Sequence, residues 1–179
     1  MISSRIARIK RILKLACLGP IAPLLGVWGS SKRFPTRTIE LDTFSFDSST
    51  GLVTDKTTQT KEPYKLIIDG MVEEPVSLSY SELRALPQTT QTSDFHCVEG
   101  WTIPEVTWSG VRISDLFNLI KPKDVAQYAI FHSLGQTSAA PHGQAWYVES
   151  LKVSDLLDAR QEFLLALDLD GKPLSHDRG

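Results

Sequence analysis

Hydrophobic and polar residues alternate from Tyr64 to Asp69 and the run ends at Gly70, a pattern that predicts a strand closed by a turn. Residues 72–78 continue extended across Pro75. Ser79-Tyr80-Ser81-Glu82 has capping-box spacing, so a short helix is expected through Leu86, stopped by Pro87. Residues 89–98 read as a strand that carries Cys97 to its end, followed by a turn at Gly100. Residues 106–111 read as a short strand with a Ser109-Gly110 turn. Ser114-Asp115 is expected to cap a helix over 116–120 that stops before Pro122, and Ser154-Asp155 to cap a third. Residues 126–133 and 145–149 are extended, with a small, polar loop over 135–143 between them. The apolar run 162–169 predicts a buried strand ending at Asp170-Gly171. Ser-x-Leu recurs at Ser81, Ser114 and Ser154, as three helix caps and not as a repeat array. Strands and short helices interleave without βαβ regularity, so the fold class is α+β.

Upstream the pattern changes. Residues 36–62 are rich in Ser, Thr and Asp, which predicts a polar linker over 38–62. Phe44 and Phe46, two apart, would share one face of an extended segment. Residues 1–37 carry eight Lys or Arg and no acid, while the remainder has eleven basic against twenty-one acidic residues. An acidic body argues against a nucleic-acid partner, which would need a basic surface. The basic stretch 5–14 and the uncharged apolar run 15–28 read as a signal or membrane-anchor segment. Fourteen apolar residues are short for a membrane span; a basic amphipathic helix lying on a membrane surface is the other reading. The expected location is therefore exported, either periplasmic or anchored facing the periplasm. At 179 residues, the chain suits one domain, here placed at 63–179.

Candidate chemistry centres on Asp94-Phe95-His96-Cys97-Val98-Glu99-Gly100-Trp101. The chain has two cysteines, and Cys17 lies in the N-terminal apolar run, so Cys97 is expected to be the single thiol of the folded domain. The residues alone leave two readings open, a packed sulfur or a reactive or metal-binding one. No Cys-x-x-Cys or His-x-x-x-His spacing supports zinc. Four histidines could serve a cysteine nucleophile, but nothing fixes a pair. Trp101 and Trp108 read as core anchors before substrate walls.

Several motifs in order carry a resemblance: Cys97-Val98-Glu99-Gly100-Trp101, Val106-Thr107-Trp108-Ser109-Gly110-Val111, Phe131-His132-Ser133, Tyr147-Val148-Glu149-Ser150-Leu151, and Leu164-Leu165-Ala166-Leu167 with Asp170-Gly171-Lys172-Pro173-Leu174. Together they resemble the molybdopterin-binding domain of the sulfite oxidase superfamily, over roughly residues 62–179. The resemblance implies a molybdenum–molybdopterin cofactor with Cys97 as the protein's direct ligand to the metal and the catalytic residue. A soft thiolate suits such a redox centre. It implies cofactor contacts from His132 and Ser133, and candidate contacts from His96 and, through phosphate, Arg178. It further implies oxygen-atom transfer, sulfoxide reduction or sulfite-type oxidation, with electrons exchanged with a haem protein or quinone-linked partner.

The departures matter. Sulfite oxidases have Cys-x-Gly-Asn-Arg, which this chain lacks. Cys-Val-Glu-x-Trp is closer to the protein-methionine-sulfoxide reductase branch, which has Arg where this chain has His96. A small-molecule or protein-sulfoxide substrate is the expectation. The family continues past the equivalent of Ser175 into further strands, so an incomplete domain is expected here. A cofactor-free remnant acting only as a binding module is then the alternative from a different class.

Overall fold

The computed structural model describes residues 8–9, 40–41, 43–97, 100–137 and 146–174. Two short strands come first, β1 (Arg8–Ile9) and β2 (Glu40–Leu41). Next, β3 (Phe44–Asp47), β4 (Leu52–Asp55) and β5 (Lys61–Pro63) form an antiparallel meander. The polar linker expected over 38–62 is therefore corrected to a small sheet. Its Ser/Thr/Asp content is turn chemistry. Asp47 accepts from the amide and hydroxyl of Ser49, and Asp55 accepts from the amides of Thr57 and Thr58. Phe46 and Val53 are cross-strand partners and pack against the core, an anchor too sparse to register in composition. The Phe46 ring meets Tyr64 and Tyr80 edge-on, at 5.7 and 5.0 Å between centroids. Burial, with Tyr80 as a smaller contribution, holds the Tyr64 hydroxyl well above the usual phenol range.

The alternation from Tyr64 is realised as β6 (Lys65–Ile68), with Leu66 and Ile68 buried and Lys65 and Ile67 exposed. It pairs with β7 (Val76–Ser79). Helix α1 (Tyr80–Ala85) follows with the expected capping box: the Ser79 hydroxyl accepts from the Glu82 amide, and Glu82 accepts from the Ser79 amide at 2.7 Å. After Pro87 come β8 (Thr89–His96) and β9 (Thr102–Arg112), then α2 (Ile113–Ile120), β10 (Tyr128–Thr137), β11 (Trp146–Lys152), α3 (Val153–Leu156), β12 (Leu164–Leu169) and β13 (Lys172–Pro173).

The Ser-x-Leu caps are corrected at all three helices: α1 is capped by Ser79 and not by Ser81, which lies inside it. Neither α2 nor α3 has a side-chain cap. The amide of Ile113 is instead satisfied by the Phe163 carbonyl, and that of Val153 by the Gln127 carbonyl. In all three helices the serine of Ser-x-Leu is the second helical residue and the acid the third. The leucine is the fourth and buried: Leu83, Leu116 and Leu156. The theme thus encodes an acidic first turn, which suits the helix dipole, and one core contact.

Two larger sheets flank this core. One has the order β13-β12-β9-β8. In the other, β10 pairs with β11 and β2 antiparallel and with β1 parallel. Arg8 and Ile9 lie opposite Ile130 and Phe131, so this part of the N-terminal segment adds a strand to the domain. The rest of residues 1–37 lies outside the described residues. No helix among the described residues is long and apolar enough to cross a membrane. The core gathers Leu66, Ile68, Leu83, Val111, Leu116 and Ile120, each contributing about 1.5–3 kcal/mol by burial. Arg84 of α1 ties this layer to β12 through a 2.7 Å ion pair with Asp168.

The Ser109-Gly110 turn is also corrected, because β9 runs through it without a break. Gly110 pairs with Ala166 of β12, and a Cβ there would lie 2.0 Å from the Leu165 carbonyl oxygen. Glycine marks close backbone approach here, not a reversal. Gly110→Ala should therefore destabilise the protein by at least about 2 kcal/mol in chemical denaturation, since main chain and not a side-chain tip must yield.

A pH dependence follows from the caps and turns. Hydrogen bonds hold Glu82, Asp47 and Asp55 below the ordinary carboxylate range. With depressed folded values, their contribution is present above the unfolded values and lost as pH falls through the folded ones. The melting temperature should drop as pH falls from about 5 to 3, and Glu82→Gln with Asp55→Asn should flatten that slope.

Candidate functional site

Cys97 sits where the sequence pattern places it, directly after β8. Its amide donates to the Trp101 carbonyl at 2.9 Å, and the Gly100 amide donates back to the Cys97 carbonyl at 3.0 Å. Gly100 has φ +85°. These bonds close a tight hairpin whose last loop residue is a left-handed glycine. Cys97 and Trp101 thus face each other across the hairpin, one step beyond the His96–Thr102 pair.

Strand alternation then sorts the side chains. Phe95 and Cys97 lie on one face with Trp101 and, further down, Trp108. The Phe95 ring stands 5.8 Å from Trp101 and 6.0 Å from Trp108. All four residues are half-buried. Neither tryptophan belongs to the buried cluster that forms the core, so the expectation of core anchors is corrected: they line one face of the hairpin. The Trp101 indole nitrogen is buried and has no hydrogen-bond partner.

The other face carries a polar ladder. Thr90 meets Ser109 at 2.9 Å, Thr92 meets Thr107 at 3.0 Å, and His96 Nδ1 meets the Thr102 hydroxyl at 2.9 Å. His96 is exposed and turned away from the Cys97 face, so the structure does not bring these two candidates together. Between the ladder's rungs, β9 takes an extra residue, with Glu105 at φ +52°. The Asp94 carboxylate accepts from the Glu105 amide at 2.9 Å and braces the bulge.

His132 and Ser133 lie on β10, in a different sheet from Cys97. His132 Nδ1 is 2.9 Å from the Ser133 carbonyl oxygen, and its ring stands 5.8 Å from that of Trp146. The Ser133 hydroxyl donates to the Gly135 carbonyl at 2.9 Å. Arg178, and likewise His142 and His176, lie outside the described residues. A cavity of about 240 Å³ lies elsewhere, lined by Ile68, Phe117, Ile120, Tyr128 and Ile130 among others. It is apolar and does not include Cys97.

Cys97 is not a free thiol here but one half of a disulfide, which corrects the expectation of a single thiol in the folded domain. The chain's other cysteine, Cys17, lies outside the described residues. Among the described residues, no three His, Cys, Asp or Glu side chains converge as a metal cage. Once reduced, a cysteine without such a cage among the described residues fits a metal whose remaining ligands arrive with an organic cofactor. The orphan indole donor beside it fits a group that brings acceptors. Sequence reading missed this donor and the Asp94 brace. The spacing of Cys97 to Gly100 and Trp101 was the signal for the first, because it specifies a hairpin that sets residue 101 opposite 97.

A family model described as the oxidoreductase molybdopterin binding domain matches residues 53–179. The chain is 29% identical over 116 residues to a Bacillus subtilis (strain 168) protein named uncharacterized oxidoreductase YuiH, covering 65% of this chain and 52% of that protein. It is 28% identical over 123 residues to the protein-methionine-sulfoxide reductase catalytic subunit MsrP of Campylobacter jejuni, covering 65% and 40%. This chain therefore spans about half, or less, of the length of these curated relatives.

Asp94→Ala removes the acceptor of the Glu105 amide and should cost about 1 kcal/mol. Glu105→Gly, which suits φ +52°, should be neutral or stabilising. Denaturant midpoints of the two variants check both signs.

Proposed function

Because this chain belongs to the oxidoreductase molybdopterin-binding domain family, we propose that it is a molybdenum-cofactor-dependent enzyme of oxygen-atom transfer, with Cys97 as the single protein ligand to the metal. The observation that supports this most is the placement of Cys97: a half-buried residue directly after β8 and opposite Trp101, at a position where the described residues form no cage of three or more His, Cys, Asp or Glu side chains. When bound, the cofactor supplies a centre that accepts or donates two electrons. Reduction of a sulfoxide then consumes two electrons and two protons and yields a sulfide and water; sulfite-type oxidation takes its oxygen from water and releases two electrons and two protons.

The chain's own residues have defined parts in this reading. Cys97 ligates as a thiolate, so its disulfide must be reduced first. The two backbone bonds of the tip hold the sulfur's position. Phe95, Trp101 and Trp108 wall one side of it and limit water. His132, Ser133 and Arg178 would hold other parts of the cofactor. The substrate is a small-molecule or protein sulfoxide, in keeping with the name of the Campylobacter relative. A haem or quinone-linked protein exchanges the electrons. Residues 1–37 serve export or anchoring, and the enzyme works facing the periplasm.

Molybdenum and pterin content of the purified, reduced protein tests the reading. Cys97→Ser should abolish molybdenum retention, because a hard, poorly ionised oxygen replaces a soft thiolate. Cys17→Ser leaves Cys97 as the single thiol and should retain the metal. Equal molybdenum content in the Cys97→Ser protein and the wild type would falsify the ligand assignment.

A further inference from the structure

The Trp101 indole N–H is the unused group on the candidate face. It is buried, it has no acceptor, and it is held in place from two sides. The Trp101 carbonyl receives the Cys97 amide, and the ring rests against Phe95. Directly opposed residues of an antiparallel pair carry their side chains on the same face, with Cβ atoms about 4.5–5.5 Å apart. The Trp101 and Cys97 side chains therefore share one face of the hairpin as cross-strand neighbours. An indole nitrogen can only donate. Leaving a donor buried and unsatisfied is costly, and few native groups are so left without a reason.

We propose that the Trp101 N–H is a cofactor-binding donor, reserved for an oxygen or ring-nitrogen acceptor of the molybdenum–pterin group seated at Cys97 once its disulfide is reduced. This deepens the functional reading above and rests on it. The hairpin explains why one residue can serve both ends of the arrangement. The bonds that fix the sulfur also fix the tryptophan, so ligand and donor are set as a unit by Gly100. Phe95 and Trp108 could not substitute. Phe95 carries no donor, and Trp108 lies at the far side of the Phe95 ring.

The test replaces Trp101 by 3-benzothienylalanine, in which sulfur takes the place of the N–H with little change of shape, and by phenylalanine as a second variant. In the cofactor-free protein, the benzothienyl variant should melt at the wild-type temperature or above, since no partner is lost. Its molybdenum and pterin content should fall about ten-fold, the value of one hydrogen bond to a buried acceptor. In ¹⁵N-labelled wild type, the Trp101 indole resonance, identified by its absence from Trp101→Phe, should move downfield on cofactor loading. A resonance that stays put on loading, or a benzothienyl variant with wild-type molybdenum content, overturns the assignment. So does a cofactor-free variant that melts well below wild type, because the N–H would then have a partner within the protein. A wild type that takes up no molybdenum brings down the functional reading itself, whereas a loaded wild type with an unmoved indole brings down this inference alone.

Discussion

The constraint on which the rest depends is the position of β9 between β8 and β12. Its backbone must come close enough to β12 that position 110 admits no side chain. Its other edge must hold β8 in a register that puts Cys97 opposite Trp101. Arg112, at its end, is fixed by Thr89 and Glu162, and α2 leaves from there into the core. One strand thus sets both the packing of the interior and the location of the sulfur.

Much of this was legible in the sequence. The alternation at Leu66 and Ile68, the capping box at Ser79 and Glu82, the apolar run of β12 and the glycine after Cys97 each have a local cause, and local causes are visible in sequence. What stayed hidden was set by partners distant in the chain. Ser109-Gly110 has the composition of a turn, and only the approach of Leu165 turns it into mid-strand. The meander over residues 44–63 reads as linker because its polar residues serve turns and its burial rests chiefly on Phe46 and Val53. The caps of α2 and α3 were misread because main-chain carbonyls from Phe163 and Gln127 do the work assigned to serines.

The candidate site was legible at Cys97, through its strand and its motif, and less so around it. Period-two alternation puts His96 on the far face from Cys97, and the Thr102 contact keeps it there. It does not carry across the bulge at Glu105, where one extra residue shifts every later face by one. The role of Trp101 needed a property that no sequence pattern encodes: whether a buried N–H finds an acceptor. His132 and Ser133 belong to another sheet, and their relation to the sulfur depends on how two sheets meet.

The hairpin of β8 and β9 also has a kinetic meaning. Its strands are neighbours in the chain and close over one short loop, whereas the pairing of β9 with β12 must wait for α2, β10, β11 and α3. Short loops close sooner and at lower entropic cost than long ones. During synthesis, the turn bearing Cys97 is therefore shaped before the sheet that supports it exists. The other neighbour of β9, β12, can join only after that intervening stretch has been made.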